Sequence, residues 1–133
     1  MNKKVLIISG NPRKGGNSDI LCDRFMQGAE ESGNTVEKVS LKDLKIGYCM
    51  ACYGCRETKK CVQKDDMEEL LSKMIEADVL VLATPVYFYS MDGQLKTMID
   101  RTLPAIQKSG IRMYTSLQLR LPESGLCTGR WMP

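Results

Sequence analysis

Short runs of consecutive apolar residues predict the strands of this chain. Lys4 to Ser9 contains four apolar residues in succession, and Val79 to Ala83 is apolar throughout. Runs of this kind are typical of strands that are buried on both faces of a parallel sheet. Thr35 to Ser40 alternates apolar and polar residues, which indicates an outer strand. We therefore expect strands at 4–9, 35–40 and 78–84.

Three other segments repeat apolar residues at helical spacing. Their expected inner faces are Ile20, Leu21, Phe25 and Ala29; Met67, Leu70, Leu71, Met74 and Ile75; and Met91, Leu95, Met98 and Ile99. The expected boundaries are an N-cap at Asn17 or Ser18, a stop at Gly33-Asn34, an N-cap at Asp65 or Asp66, and a stop or kink at Pro104. Strands that alternate with helices predict a doubly wound α/β sheet, which binds ligands at the carboxyl ends of its strands.

Composition and charge restrict the class of protein. The 133 residues are 43% hydrophobic and 26% charged, a mixture typical of one soluble domain. Nineteen basic and 16 acidic residues give a net charge of only +3, which argues against a nucleic-acid or membrane-surface partner. No apolar run approaches the ~20 residues that span a bilayer, and no secretory signal is evident. We expect a cytoplasmic protein.

The chain contains six cysteines and no histidine. The missing histidine excludes Ser-His-Asp and Cys-His catalysis and Cys2His2 zinc sites. In a reducing compartment, clustered cysteines bind metals or do redox work more often than they form structural disulfides. An isolated cysteine such as Cys22, on the first predicted helix, is expected to be a small core residue.

Four of the cysteines crowd into a loop at 45–64. They are Cys49, Cys52, Cys55 and Cys61. The first three are separated by two residues each, as in the run that holds iron–sulfur clusters in bacterial ferredoxins. Structural zinc sites usually use two separated pairs, so zinc fits this spacing less well. Redox-active or incidental thiols are a further alternative.

The loop after the first strand has the composition of an anion cradle. Glycines between Gly10 and Ser18 let backbone amides approach an anion, and Arg13 adds a positive charge. The start of the following helix contributes free N–H groups. The spacing matches neither a nucleotide-hydrolysing P-loop nor a dinucleotide fingerprint. An ordinary glycine-rich turn is the alternative.

The loop after the third strand is unusually aromatic. Thr84 to Ser90 contains one proline and three aromatic residues. A planar apolar ligand would explain them, with Tyr87 or Phe88 against its face. The alternative is that these side chains plug the core or a subunit interface. Beside a phosphate loop on a neighbouring strand, the segment favours a mononucleotide with a large flat ring.

Together these segments resemble the NADPH-dependent FMN reductase family of the flavodoxin-like fold, and with the cysteine motif they resemble its iron–sulfur flavoproteins. The motifs are Ser9 to Ser18, Cys49 to Cys61, Asp65-Asp66-Met67, Thr84 to Met91, Gln94-Leu95-Lys96 and Asp100-Arg101. The resemblance covers about residues 3–104. It implies a three-layer α/β/α architecture with a parallel sheet.

The resemblance also implies cofactors and partners. FMN would carry the chemistry, so no catalytic side chain is expected, and NADPH or NADH would be the electron donor. The implied FMN-binding residues are Ser9, Pro12, Arg13, Gly15, Asn17, Ser18, Pro85, Val86, Tyr87 and Phe88. A [4Fe–4S] cluster would be held by Cys49, Cys52, Cys55 and Cys61. The resemblance further implies a homodimer or homotetramer and a ferredoxin-like redox partner.

The expected function is therefore an FMN-dependent oxidoreductase that moves electrons between a reduced donor, the cluster and FMN. Two alternatives differ in class. The chain could be a non-enzymatic electron carrier that uses both groups as relays, or an inactive fragment that binds no flavin. Reduction of flavin by NADPH or NADH distinguishes the enzyme from the carrier.

The tail departs from this pattern. A flavodoxin-like sheet has five strands in the order 2-1-3-4-5, but Ile111 to Arg120 offers at most one strand and Leu121 to Pro133 none. We expect a flavodoxin-like domain at 1–110 and an atypical tail at 111–133. A change of reading frame near residue 110 is our hypothesis, since suitable codons encode a hydrophobic strand in a shifted frame. The chain would then be C-terminally truncated, with an open sheet edge.

Overall fold

The computed structural model describes residues 2–104 and has a parallel three-stranded sheet at its centre. The strands are β1 (Lys4–Ser9), β2 (Thr35–Ser40) and β3 (Val79–Ala83), in the order β2-β1-β3. Ser9 at the end of β1 pairs with Ser40 on one side and Ala83 on the other, so all three strands end at the same edge. The three predicted strands are confirmed to within one residue at each end.

Helices cover both faces of the sheet. The remaining elements are α1 (Asn17–Glu31), α2 (Gly54–Thr58), α3 (Met67–Glu76), a hairpin of β4 (Val86–Tyr87) and β5 (Ser90–Met91), and α4 (Gly93–Asp100). A single turn of 3-10 helix, Leu41–Asp43, follows β2. Alternate residues of β1 face α1 or the pair α3 and α4, which explains why its sequence is apolar without interruption. This arrangement confirms the predicted flavodoxin-like, doubly wound fold class.

The larger core lies between the sheet and helices α3 and α4. Leu6 and Ile8 of β1 pack there with Leu70 and Leu95. Three of the other members are methionines, Met67, Met74 and Met98, and each is at most 3% exposed. Unbranched thioether side chains fill irregular gaps between elements of different shape.

The smaller core lies between the sheet and α1. Val5 and Ile7 of β1 meet Cys22 of α1 and Ala83 of β3. The burial of Cys22 confirms the expectation that it is a small core residue. Burial also raises the pKa of the Cys22 thiol, which keeps it in its unreactive protonated form.

The predicted face of α1 is partly wrong. Ile20 and Phe25 are 50% and 39% exposed, whereas Ser18 and Cys22 face the sheet. On the side of α1 next to β2, the ammonium group of Lys38 lies 2.5 Å from a carboxylate oxygen of Asp19 and of Asp23. The acidic side of α1 therefore lies over β2. Two smaller corrections concern Ile75, which is exposed on α3, and Met91, which lies in β5 rather than on α4.

The helix boundaries also differ in detail from the prediction. Neither Asn17 nor Ser18 caps α1, because Gly16 occupies the N-cap position and supplies no side-chain hydrogen bond. Asp66 is the N-cap residue of α3, but it is the carboxylate of Asp65 that accepts the N–H of Met67, at 3.2 Å. The stop at Gly33-Asn34 is confirmed. The third predicted helix, α4, ends at Asp100, before Pro104.

The strand β3 is less buried than its sequence predicts. Val79 to Leu82 are half-buried, whereas Val5 to Ile8 of β1 are buried. Within residues 2–104, β3 pairs with β1 alone, so its second edge and the flanking faces are partly open. The predictions of a strand at 111–120, of an atypical tail at 111–133 and of a frame change near residue 110 lie outside the described residues. None of the helices at 2–104 is long and apolar enough to cross a membrane.

Candidate functional site

The two loops singled out in the sequence start side by side. The N–H of Gly10, which follows β1, donates to the carbonyl oxygen of Ala83 at the end of β3, at 2.9 Å. Gly10 has no room for a side chain here, since a Cβ atom would lie 2.2 Å from Oδ2 of Asp92. The prediction that both loops meet at the carboxyl edge of the sheet is confirmed.

Asp92 connects this edge to α4. Its carboxylate is buried, and its Oδ1 accepts the N–H of Leu95 at 3.0 Å as the N-cap bond of α4. Its Oδ2 accepts the hydroxyl of Thr84 at 2.6 Å. Sequence reasoning missed this residue, although an aspartate directly before an apolar helical repeat is a recognisable N-cap signal.

The first loop is shaped by hydrogen bonds from its own side chains. The buried Oδ1 of Asn11 accepts the N–H of Arg13 at 3.1 Å, which forms a tight local turn. Gly15 has a φ of +72°, and its N–H donates to Oδ2 of Asp19 at 2.8 Å. Glycine adopts this left-handed conformation without steric cost. Asn11 and Asp19 are structural residues that sequence reasoning also missed.

The N-terminus of α1 is open toward this loop. The backbone N–H groups of Asn17 and Ser18 have no hydrogen-bond acceptor within residues 2–104. Lys38 and the N–H of Gly15 lower the pKa of Asp19, so the carboxylate in the first turn stays ionised but is balanced by Lys38. Free amides at the positive end of a helix dipole provide a place for an anion.

The phosphate residues implied by the resemblance differ in accessibility. Pro12, Arg13, Gly15 and Asn17 are exposed on the loop. Ser18 and Ser9 are buried, and Oγ of Ser9 accepts the N–H of Asn11 at 3.4 Å. In this arrangement Ser9 stabilises the loop from its buried side, while Arg13 and Asn17 can contact a ligand directly.

The second loop forms a β-hairpin of β4 and β5, and its two-residue turn has an unusual conformation. Val86 pairs with Met91 and Tyr87 with Ser90. Phe88 and Tyr89 form the turn with φ values of 46° and 64°, a conformation usually taken by Asn-Gly. Phe88 is 96% exposed and its ring meets that of Tyr89 edge to face, with centroids 6.0 Å apart. Within residues 2–104 these aromatic side chains are exposed rather than packed into the core.

A cavity of about 420 Å³ lies beside the two loops, between the segment that follows β2 and the start of α4. Pro12 of the first loop and Tyr87 of the second both line it, and its volume is within the range of small-molecule sites. The other lining residues are Leu41, Leu44, Ile46, Asp92, Gly93, Gln94 and Thr97. Of the residues that the resemblance implies for FMN binding, Pro12 and Tyr87 line this cavity. Ser18 lines a separate, narrow crevice beside Phe25 and Thr84.

The cysteine segment lies beyond the end of β2 and carries free thiols. Cys49 and Cys52 are exposed, Cys55 and Cys61 are half-buried, and none of the four is in a disulfide. No three Cys, Asp or Glu side chains within residues 2–104 are gathered as they would be around a metal ion. The fit to an iron–sulfur cluster therefore rests on the chemistry of the donors, which are soft thiols on one short loop.

Arg101 ties this segment to the end of α4. Its two terminal nitrogens donate to the two carboxylate oxygens of Asp65, at 2.8 and 3.0 Å. The Nη1 atom also donates to the carbonyl oxygen of Gly47 at 2.8 Å and to Oε1 of Gln63 at 3.1 Å. Arg101 lowers the pKa of Asp65, and the N–H groups of Gly47 and Met67 act in the same direction. Sequence reasoning missed this bridge because the partners are far apart in the chain.

The comparisons with known proteins agree with these features. The family model for NADPH-dependent FMN reductase matches residues 3–115. An iron-sulfur flavoprotein of Archaeoglobus fulgidus is 45% identical over 101 residues, which cover 76% of this chain and 46% of the relative. An iron-sulfur flavoprotein of Methanocaldococcus jannaschii is 42% identical over 101 residues, which cover 76% and 52%. The chain thus spans about half the length of these relatives.

One solved structure that is similar to this chain is that of a flavone reductase. It matches with a TM-score of 0.60 and 33% sequence identity. The match covers 76% of this chain and 30% of that protein.

Proposed function

The chain belongs to the NADPH-dependent FMN reductase family, and from that premise we propose that it binds FMN where β1 and β3 end and acts as an NAD(P)H-dependent flavin oxidoreductase. One observation carries the proposal: a loop with open amides and an exposed aromatic hairpin leave the sheet from adjacent positions, Gly10 and Ala83. The first suits a phosphate and the second a flat ring.

The FMN phosphate is assigned to the first loop. Arg13 and Asn17 are exposed there, and the free N–H groups of Asn17 and Ser18 add donors at the start of α1. Gly15 supplies the left-handed turn, and Pro12 lines the adjoining cavity. Ser9 acts indirectly, through its hydrogen bond with the N–H of Asn11.

The isoalloxazine ring is assigned to the second loop, along Pro85, Val86, Tyr87 and Phe88. The exposed side chains of Val86, Tyr87 and Phe88 offer the apolar surface that a flat ring needs. Bound FMN supplies the hydride and electron chemistry, so no side chain is assigned as a catalyst. The residues of this chain orient the ring and exclude water from one of its faces.

The cysteine segment is assigned to a [4Fe–4S] cluster held by Cys49, Cys52, Cys55 and Cys61. The free state of the four thiols and the names of the two relatives support this assignment. On this proposal, electrons pass between a reduced donor, the cluster and FMN. The donor is NADPH, NADH or a ferredoxin-like protein, and the exposed hairpin suits contact with further copies in a homodimer or homotetramer.

Titration of the apoprotein with FMN tests the flavin site. Arg13→Ala should weaken FMN binding about 10- to 150-fold, because one hydrogen bond to a charged group contributes ~1.5–3 kcal/mol. Lys14→Ala is the matched control, as it removes the same charge from the neighbouring exposed position. Equal FMN affinity in the Arg13 variant and the wild type would remove the phosphate assignment.

Anaerobic purification tests the cluster, which requires iron and sulfide in equal amounts. Zinc alone, without iron or sulfide, would reject it. Stopped-flow reduction of the bound flavin then tests the activity. Reduction by NADPH or NADH supports the oxidoreductase, whereas reduction only by ferredoxin-like donors would show an electron carrier instead.

A further inference from the structure

We propose that the buried carboxylate of Asp92 lowers the reduction potential of FMN bound where β1 and β3 end. The inference rests on the FMN site in the proposed function. It gives the chain a residue that sets how readily the bound flavin passes its electrons on. The position of Asp92, its burial and the absence of a paired cation within residues 2–104 support this role.

Asp92 lies between the two loops of the proposed FMN site. On one side, its Oδ2 accepts the hydroxyl of Thr84, where the second loop begins, at 2.6 Å. On the other side, Gly10 of the first loop comes so close that an added Cβ would lie 2.2 Å from Oδ2 and 2.9 Å from Oδ1. Asp92 also lines the cavity of about 420 Å³ together with Pro12 and Tyr87. The carboxylate is therefore next to residues that the proposed function assigns to the cofactor.

The carboxylate is buried without a compensating cation. Asp92 is 3% exposed, and none of the ion pairs formed within residues 2–104 includes it. Its oxygens accept hydrogen bonds from two neutral groups, the N–H of Leu95 and the hydroxyl of Thr84. Aspartate is rarely buried unless it is paired, because removal of a charge from water costs free energy.

The capping of α4 does not require this charge. An N-cap needs an oxygen that accepts the N–H of Leu95, and asparagine or serine provides one about as well as aspartate does. The helix dipole favours a negative charge at this position by about 0.3–2 kcal/mol. That is less than the several kcal/mol that burial of an ion costs. The negative charge of Asp92 therefore has a role outside the helix, in the site that the carboxylate borders.

The expected consequence is that the site binds reduced FMN less tightly than oxidised FMN. Two electrons and one proton convert oxidised FMN into its reduced, anionic form, which carries one more negative charge. A nearby carboxylate repels that charge, and it does so more strongly in a buried site than in water. The midpoint potential reports the ratio of the two affinities, so the charge makes the bound flavin a stronger reductant.

Potentiometric titration of the full chain loaded with FMN tests the inference, with dithionite as the source of electrons. Asp92→Asn removes the charge but keeps an oxygen that can cap α4. Its amide N–H can donate to the hydroxyl of Thr84, which itself has a second acceptor, the carbonyl oxygen of Pro85 at 2.8 Å. Relative to oxidised FMN, this variant should bind reduced FMN about tenfold more tightly. Its midpoint potential should accordingly be ~30 mV more positive, by the conversion for a two-electron couple.

Two comparisons separate the charge of Asp92 from general effects. Asp100→Asn removes an exposed carboxylate from the other end of α4 and should leave the midpoint potential near the wild-type value. The difference between Asp92→Asn and the wild type should persist at about 1 M salt, because buried charges are screened much less than exposed ones. A purely structural role would weaken the binding of oxidised and reduced FMN equally and would not move the midpoint potential.

Asp92→Ser gives the same measurement if Asp92→Asn does not fold. Serine is also a favoured N-cap residue and carries no charge, so the midpoint potential should again become more positive. An unchanged or more negative midpoint potential in a neutral variant that still binds FMN would overturn the inference and leave the FMN site intact. A wild-type chain that binds no FMN would overturn the proposed site, and the inference with it.

Discussion

Thr84 and Asp92 exchange two hydrogen bonds across the base of the aromatic hairpin. The N–H of Asp92 donates to Oγ1 of Thr84 at 2.9 Å, and the hydroxyl of Thr84 donates to Oδ2 of Asp92 at 2.6 Å. This pair closes the segment that contains β4 and β5. It also fixes the start of α4, because Asp92 is the N-cap of that helix.

Thr84→Val should therefore destabilise the chain. The change keeps the shape of the side chain but removes the hydroxyl, so the buried carboxylate of Asp92 loses a donor, at a cost of about 1–3 kcal/mol. Urea unfolding measures this difference. Thr84→Ser, which retains the hydroxyl, should cost clearly less, and equal losses in both variants would contradict the role of the hydrogen bonds.

Gly10→Ala should destabilise the contact between the first loop and the start of α4. The new Cβ would lie 2.2 Å from a carboxylate oxygen of Asp92, which is held by Thr84 and Leu95 and cannot move freely. We expect a loss of ~1–3 kcal/mol in the free energy of unfolding, together with weaker FMN binding.

Gly28→Ala is the matched control for this variant. It lies within α1, and nothing lies within 4 Å of its added Cβ. Alanine should stabilise the helix by about 0.5–1 kcal/mol. If Gly10→Ala also proved neutral or stabilising, the close approach to Asp92 would be disproved.

Phe88→Gly should make the hairpin more stable. Phe88 has a φ of 46° and is exposed, so its ring contributes little packing while its Cβ opposes the left-handed conformation. Relief of that conformation contributes roughly 1–2 kcal/mol. Phe88→Ala also removes the ring but keeps the Cβ, so the difference between the two variants isolates the backbone effect. Equal thermal stability of both variants would show that the turn is not strained.

Asp19→Asn should reduce the sensitivity of the fold to acid. Lys38 and the N–H of Gly15 lower the pKa of Asp19. A carboxyl with a lowered folded-state pKa stabilises the fold above its unfolded pKa of about 3.9, and this contribution disappears as the pH falls through the folded-state value. The variant should lose about 1 kcal/mol at neutral pH.

Unfolding experiments at neutral pH and at pH ~3 compare the wild type with Asp19→Asn. The wild type should lose more stability on acidification than Asp19→Asn does. Glu30→Gln, at an exposed position of the same helix, is the control and should keep the wild-type acid dependence. An unchanged acid dependence in Asp19→Asn would show that the ion pair with Lys38 does not contribute.

Much of the fold could be predicted because the relevant signals are local. The uninterrupted apolar run from Val5 to Ile8 reflects burial on both faces, and the sheet arrangement follows from alternating strands and helices. The positions of the two loops followed in turn, since parallel strands bring their carboxyl ends to one edge. The role of Asp92 could also have been predicted, because it is an N-cap residue directly before an apolar helical repeat.

Other features depend on contacts between distant residues. The two carboxylates of α1 that face β2 pair with Lys38 of that strand, and no pattern within α1 reports this contact. The bridge from Arg101 to Asp65 joins residues 36 positions apart. The left-handed turn at Phe88 contradicts local preference altogether, because aromatic residues disfavour it.

Oxidation of the methionines in the larger core can be used to measure how often that core opens. Met67, Met74 and Met98 are enclosed, whereas Met50 is 58% exposed. Peroxide converts an accessible methionine to its sulfoxide, but it can reach an enclosed one only when the surrounding structure opens. The extent of oxidation at Met50 therefore measures how much oxidant the protein has met. The extent of oxidation at the three enclosed methionines measures how often the core opens. The ratio of the two, read by mass spectrometry, would report unfolding events without any added label.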